Sequence, residues 1–263
     1  MAKLSPLQRI KSLLQNLGID VHLYPPNLPP DFDKEVVQTI NRVQAFTMTS
    51  PERISALCEA VKYVVKNQIP GDIVECGVWK GGSMMAIADT LKKLGQEERE
   101  LFLFDTFTGM SEPTQEDVDL SGIEAKKLLQ EEDKNVSNSV WCYASLEEVK
   151  KSVGSINYPA DKIHFIKGKV EETIPEQAPE KIALLRLDTD WYESTKHELI
   201  YLFPRLAVGG VIIIDDYGHW QGARKAVDEY LAEHQIALML HRVDVTARIG
   251  IFYPLSSHSS LLA

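Results

Sequence analysis

Cysteine is scarce in this chain and never clustered. Cys58, Cys76 and Cys142 lie far apart, and no Cys/His grouping has the spacing of a zinc site. An odd number with no pairing framework suits a reducing compartment, so a cytoplasmic location is expected. Positive charge is also in short supply: 28 Lys and Arg stand against 38 Asp and Glu, a net charge of −10. That balance disfavours non-specific nucleic-acid binding, which needs basic surface. No apolar run approaches the length of a membrane span, and Met1-Ala2-Lys3-Leu4 leads into a mixed polar pattern rather than a secretory core. Two nucleotide signatures are missing as well. The glycines at 77, 81 and 82 are not in dinucleotide-fingerprint spacing, and no Lys-Ser/Thr pair follows them as in a phosphate loop. No internal repeat is visible.

What is present is an ordinary globular composition, 44% hydrophobic and 25% charged over 263 residues, enough for one α/β domain with decoration. Leu7, Ile10, Leu13, Leu14 and Leu17 predict a helix over 5–18, followed by a proline-rich extended linker over 24–30. Residues 1–45 are therefore expected to be a separable arm, serving either as a packing or oligomer contact or as a flap. Ser50-Pro51 starts a helix running to about Lys66. From Gly71 onward strands and helices alternate. Strands are predicted at 72–77, 101–106, 163–167, 182–188, 210–215, 238–244 and 249–253, and helices at 82–94, 145–153, 192–203 and 221–233. This pattern implies a doubly wound, mostly parallel seven-stranded sheet ending in an antiparallel hairpin. The domain is expected to span 46–254, with a lid-like polar insertion at 111–138 and a tail at 255–263. The insertion can be a solvated face or a substrate wall.

Two apolar runs end in acidic clusters. Ile182–Leu187 leads into Asp188-Thr189-Asp190, and Val211–Ile214 leads into Asp215-Asp216. In open α/β sheets ligands bind at the carboxyl ends of the strands. Four carboxylates gathered there repel one another unless a cation or shared protons compensate them. A hard divalent metal with oxygen ligands, Mg²⁺ first, is the simplest compensator. In an extended strand Asp188 and Asp190 point the same way, whereas Asp215 and Asp216 converge on one ion only if the strand ends at them. The competing reading is that Asp188 or Asp190 caps the following helix, and that Asp215-Asp216 is a solvated turn. Arg186, on the buried run, is expected to pair with a carboxylate.

The first strand runs into Glu75-Cys76-Gly77-Val78-Trp79-Lys80-Gly81-Gly82-Ser83. Gly77 permits close backbone approach, and Ser83 can cap the next helix or bond a ligand carboxylate. Asp105 ends the second strand, where a carboxylate can accept from both ribose hydroxyls or cap its own turn. Gly168 ends the third, where it can set backbone against an adenine edge. Together these call for an adenosine ligand without a pyrophosphate grip, which fits S-adenosylmethionine better than NAD.

These segments, with Phe104-Asp105-Thr106-Phe107-Thr108-Gly109-Met110, Leu187-Asp188-Thr189-Asp190-Trp191-Tyr192-Glu193-Ser194-Thr195 and Gly209-Gly210-Val211-Ile212-Ile213-Ile214-Asp215-Asp216-Tyr217, resemble the macrocin O-methyltransferase (TylF) family over roughly residues 45–253. Thr47-Met48-Thr49-Ser50 and Gly168–Pro175 also look like family segments. The resemblance implies a class I methyltransferase fold, S-adenosylmethionine and Mg²⁺ as cofactors, and transfer of a methyl group to a hydroxyl of a sugar or other secondary metabolite. Carried over by motif, Asp188, Asp215 and Asp216 are expected to bind the metal and Asp190 to act as general base. Thr49, Glu75, Gly77, Ser83, Asp105, Gly168, Lys169, Val170 and Asp188 are expected to contact the cofactor. A homo-oligomer is implied, with the arm as contact. The alternatives are a catechol or phenol O-methyltransferase of the same fold, or a non-catalytic assembly protein that keeps the cofactor pocket.

Overall fold

A computed structural model describes residues 28–134, 136 and 139–254. Its strands are β1 (Asp72–Cys76), β2 (Leu101–Asp105), β3 (Ile163–Lys167), β4 (Ile182–Leu187), β5 (Leu206–Ile214), β6 (His241–Arg242) and β7 (Arg248–Ile251). They form one seven-stranded sheet in the order β3-β2-β1-β4-β5-β7-β6. β1 to β5 pair in parallel, whereas β7 runs antiparallel to both β5 and β6. The expected fold class is therefore the observed one. β6 is shorter than its predicted run, 238–244. It is an exposed edge, and Leu238 and Leu240 turn their side chains against the core instead of extending the ladder.

The helices are α1 (Lys34–Val43), α2 (Pro51–Lys66), α3 (Gly82–Lys93), α4 (Ala125–Glu131), α5 (Leu146–Gly154), α6 (Val170–Thr173), α7 (Tyr192–Leu202) and α8 (Gln221–Glu233). Two apolar layers flank the sheet. Ile73, Leu184, Val211 and Ile213 pack with α1, α2, α3 and α5, and Val74, Leu185, Ile212 and Ile214 pack with α7 and α8. This is the period-two alternation of a strand buried on both faces.

The predicted helix over 5–18 and the tail 255–263 lie outside the described residues. Residues 34–43 of the expected arm form α1, which the periodicity reading did not pick out. Asp33 accepts a hydrogen bond from the Glu35 N–H at 3.0 Å and caps it. Val36, Ile40 and Val43 are buried beside α2 and α3, and the Thr39 hydroxyl donates to Asp89 at 2.7 Å.

Sheet topology creates the crevice. The chain leaves β1 towards β2 on one side and returns through β4 on the other, so the loops after β1 and β4 diverge at their carboxyl ends.

Candidate active site

A cavity of about 570 Å³ opens at the carboxyl ends of the parallel strands. Thr49, Gly77, Ser83, Asp105, Gly168, Lys169, Val170, Asp188, Asp190, Asp215 and Asp216 all line it. Glu75 lies beneath the floor at 1% exposure, where its Oε1 meets Arg186.

The floor follows from strand register. Glu75 on β1 is directly opposite Arg186 on β4, which is opposite Ile213 on β5. Side chains two apart share a face, so Asp215 projects to the same side as Ile213 and reaches Arg186. The Arg186 guanidinium, 2% exposed, donates to Glu75 at 2.7 Å, Asp188 at 2.6 Å and Asp215 at 2.7 Å. It also reaches the Thr49 hydroxyl at 3.4 Å. Burial alone would lower the pKa of Arg186, but Asp188, Asp215 and Glu75 outweigh it and keep the group cationic. Arg53, one turn into α2, pairs with the other Asp215 oxygen and with Asp244 at 3.0 Å. In the sequence Arg53 is one residue of the first turn after the Ser50-Pro51 helix start. Nothing in its local pattern distinguishes a solvated arginine from this one, because its partners are on β5 and in the β6–β7 turn.

β5 ends at Ile214, so Asp215 and Asp216 leave the strand together. Asp188, Asp215 and Asp216 each bring a carboxylate oxygen within 4.8 Å of the others. Asp190 reaches the same place by a different route from strand alternation. β4 stops at Leu187, and Asp190 takes a left-handed backbone with φ of 70°. That turn aims its carboxyl at Asp216, with which it is hydrogen-bonded. Neither Asp188 nor Asp190 caps α7. Its first N–H, that of Tyr192, donates to Asp117 at 2.7 Å.

Burial raises the pKa of Asp190 to about 7, with the charges of Asp188, Asp215 and Asp117 adding to the effect and the bond to Asp216 opposing it. Burial also lifts Glu75 to about 7, against the pull of Arg186. Asp188 and Asp216 are pushed well above the carboxylate range, first by burial and then by their acidic neighbours. Asp216 Oδ2 is buried with no hydrogen-bond partner. An all-oxygen donor set, an orphaned buried carboxylate atom and excess negative charge fit a hard divalent cation.

The opposite end of the cavity is built from backbone. Asp105 Oδ2 accepts from the N–H groups of Val78 at 2.7 Å and Trp79 at 3.1 Å, and Oδ1 from Phe107 at 2.6 Å. Its carboxylate thus caps its own turn and also braces the glycine loop while facing the cavity. Gly77, with φ of 82°, is required by the Asp188 carbonyl, against which any Cβ would collide. The close approach is therefore to the neighbouring loop of the protein. Gly81 ends the loop at the start of α3, and Ser83 follows, buried, at the cavity edge.

The 111–138 segment contributes a wall through Ser111, Asp119, Leu128 and Glu132. It is anchored at Asp117, which is fully buried and accepts from Thr114 N–H at 2.7 Å as well as from Tyr192. The Trp191 indole donates to the Ser111 carbonyl at 3.1 Å, and Asp119 bridges to Trp220. Asp117 and Asp119 carried no signal in the sequence beyond acidity, although an uncapped start to α7 hints at a distant cap. Cys142 also lines the cavity, and burial pushes its thiol far up, so it is held neutral.

Comparison with known proteins gives this site a lineage. The Macrocin-O-methyltransferase (TylF) family matches residues 31–253. The chain is 32% identical over 209 residues to demethyldecarbamoylnovobiocin O-methyltransferase of Streptomyces niveus, covering 80% of this chain and 75% of that one. It is 31% identical over 250 residues to the 8-demethyl-8-(2,3-dimethoxy-alpha-L-rhamnosyl)-tetracenomycin-C 4'-O-methyltransferase of Streptomyces olivaceus, covering 94% and 91%. Among solved structures, the O-methyltransferase NovP superposes with a TM-score of 0.68 at 30% identity, over 78% of this chain and 81% of that one. Among the described residues no helix is long and apolar enough to cross a membrane. The chain belongs to the macrocin O-methyltransferase family and is an S-adenosylmethionine-dependent O-methyltransferase of the class I fold.

Proposed function

We propose that this enzyme is Mg²⁺-dependent and methylates a sugar hydroxyl of a natural product in antibiotic biosynthesis. The observation that carries the reading is the convergence of Asp188, Asp215 and Asp216 beside Asp190 at one end of the cavity. Relatives named for a tetracenomycin rhamnoside and for mycinamicin III support a glycosidic acceptor.

In this reading Asp188, Asp215 and Asp216 hold the cation. Bound there, it supplies Lewis acidity that lowers the pKa of the acceptor hydroxyl. Asp190 accepts the hydroxyl proton. Burial raises its affinity for a proton, as a general base requires, and Asp216 beside it orients the carboxyl. Arg186 and Arg53 fix the direction of the Asp215 carboxylate. At the other end Asp105, Ser83, Gly77, Thr49 and the Gly168–Val170 turn hold the methyl donor, and Glu75 acts from beneath the cavity floor only through Arg186. Segment 111–138 closes over the acceptor and excludes water. The enzyme works as a homo-oligomer with the N-terminal arm as contact, in the cytoplasm, where its three free cysteines stay reduced.

The test is a competition assay in which methyl-glycoside diols and catechols are offered together with S-adenosylmethionine, with and without EDTA. Methylation of the glycosides, lost on chelation and restored by Mg²⁺, is expected. Activity unaffected by chelation removes the metal, and preferential methylation of catechols removes the sugar.

A further inference from the structure

Glu198 is a carboxyl with no part in the reaction described above, yet it is entirely buried under it. It projects from α7 at 0% exposure on the buried face of the helix, which also carries Ser194, Thr195, Leu199 and Leu202. Its Oε1 accepts the Thr189 hydroxyl at 2.9 Å, and its Oε2 is buried with no hydrogen-bond partner. The Cys76 thiol at the end of β1 also faces it. Burial pushes this carboxyl well above its usual range, so it is held neutral. A buried carboxyl costs stability that a leucine at the same helical position would not, so its presence calls for a compensating use.

Thr189 is the middle residue of the turn that carries Asp188 and Asp190. That turn is demanding. Asp190 is in the left-handed region, unfavourable for a residue with a Cβ, and the Asp188 carbonyl is pressed against Gly77. Backbone bonds secure its ends: Asp188 N–H donates to the Cys76 carbonyl at 2.9 Å, and Trp191 N–H to the Thr189 carbonyl at 2.8 Å. The side chain at its centre is held by Glu198.

We propose that Glu198 is a positioning residue: from beneath the sheet end it ties down Thr189, and through Thr189 it sets the direction of the carboxylates of Asp188 and Asp190. The proposal rests on the reading of that turn as the metal and base site. It differs from a packing role in a definite way. Packing needs only volume, whereas the brace needs an acceptor oxygen opposite Thr189 and a hydroxyl on residue 189.

The experiment is a Mn²⁺ titration followed by electron paramagnetic resonance on the full chain, with S-adenosylhomocysteine binding measured by calorimetry on the same samples. Thr189→Val and Glu198→Leu are each expected to weaken Mn²⁺ binding about 10- to 100-fold, the range seen when a partner of a metal ligand's support is removed. Glu198→Gln, which keeps an acceptor oxygen, is expected to stay within about twofold of wild type, and the Glu198→Leu/Thr189→Val double variant to be no weaker than either single one. S-adenosylhomocysteine affinity is expected to hold in all of them. Should Glu198→Leu not fold, Thr189→Val and Glu198→Gln decide the matter. Wild-type Mn²⁺ affinity in Thr189→Val, or a Glu198→Gln variant as weak as Thr189→Val, overturns the brace. Asp188→Asn is the control: normal Mn²⁺ binding there, or none in wild type, overturns the reading of the site and the proposal with it. Loss in Asp188→Asn without loss in Thr189→Val overturns the brace alone.

Discussion

The two ends of the cavity are built by opposite means. At the ends of β1 and β2 the acidic side chain is fully answered: three backbone N–H groups converge on Asp105, and the glycine loop is shaped around that carboxylate. At the ends of β4 and β5 the acids outnumber their partners. Arg186 and Arg53 answer Asp215 from both sides and Arg186 alone reaches Asp188, but Asp216 keeps an orphaned buried oxygen, and Asp190 leans on another acid. The first end has its hydrogen bonds made, although burial still holds Asp105 above the usual carboxylate range, and it suits a ligand read by shape and hydrogen bonds. The second is left with excess negative charge at about neutral pH, a demand that only protons or a cation can meet. In the proposed reading, a single pocket thus separates recognition of the donor from activation of the acceptor.

The contrast breaks most sharply at Asp216. Asp216→Ala should lower kcat by about a thousandfold or more, the scale of several kcal/mol of lost charge stabilisation, while leaving S-adenosylhomocysteine affinity nearly unchanged. Calorimetry beside a methyl-transfer assay checks both, and a parallel loss of cofactor affinity would merge the two ends into one. Asp105→Asn should do the converse. It sets an amide against N–H donors, so S-adenosylhomocysteine binding should weaken about tenfold, the value of one charge-assisted hydrogen bond, with Mn²⁺ affinity intact.

The smallest effect is on stability against pH. Glu75 and Asp190 have pKa values raised to about 7. A carboxyl whose pKa is raised by folding stabilises fully below its unfolded value and loses that contribution as pH climbs through the folded one. The cation-free protein should therefore lose a few degrees of Tm between about pH 5 and pH 8, an effect of roughly 1 kcal/mol or more. Added Mg²⁺ should raise Tm more at about pH 8 than at pH 6, because protons compete for the same oxygens. Differential scanning calorimetry decides; a Tm that climbs with pH over this interval contradicts the assigned shifts. Asp190→Asn should flatten the curve.

Much of this was legible before any coordinates. Each run from Ile182 to Leu187 and from Val211 to Ile214 is short, apolar and β-branched or leucine-rich, and each became a buried parallel strand whose acids stand at its carboxyl end. The pairing of Arg186 with carboxylates followed from its place on a buried run, since a lone buried cation is too costly to leave unmatched. Other features were beyond local reading. The left-handed turn at Asp190 looks, in sequence, like the continuation of a strand. Asp117 looks like one more acid in a polar insertion, although it caps a helix 75 residues away. The short helix over 34–43 was absorbed into the arm, although Asp33, Glu35 and the spacing of Val36, Ile40 and Val43 mark it.

The sequence by itself determined the alternation of strands and helices, the sheet edge at which the acids and the glycine turn would meet, and the family. These are properties of hydrophobic period and of residues within a few positions of one another. Only the tertiary structure decided which acids lie within reach of one another, which of them stands beside another acid and which are pinned by arginine. Those arrangements depend on register between strands and on desolvation, quantities set by segments from 29 to 111 residues apart and absent from any local stretch of the chain.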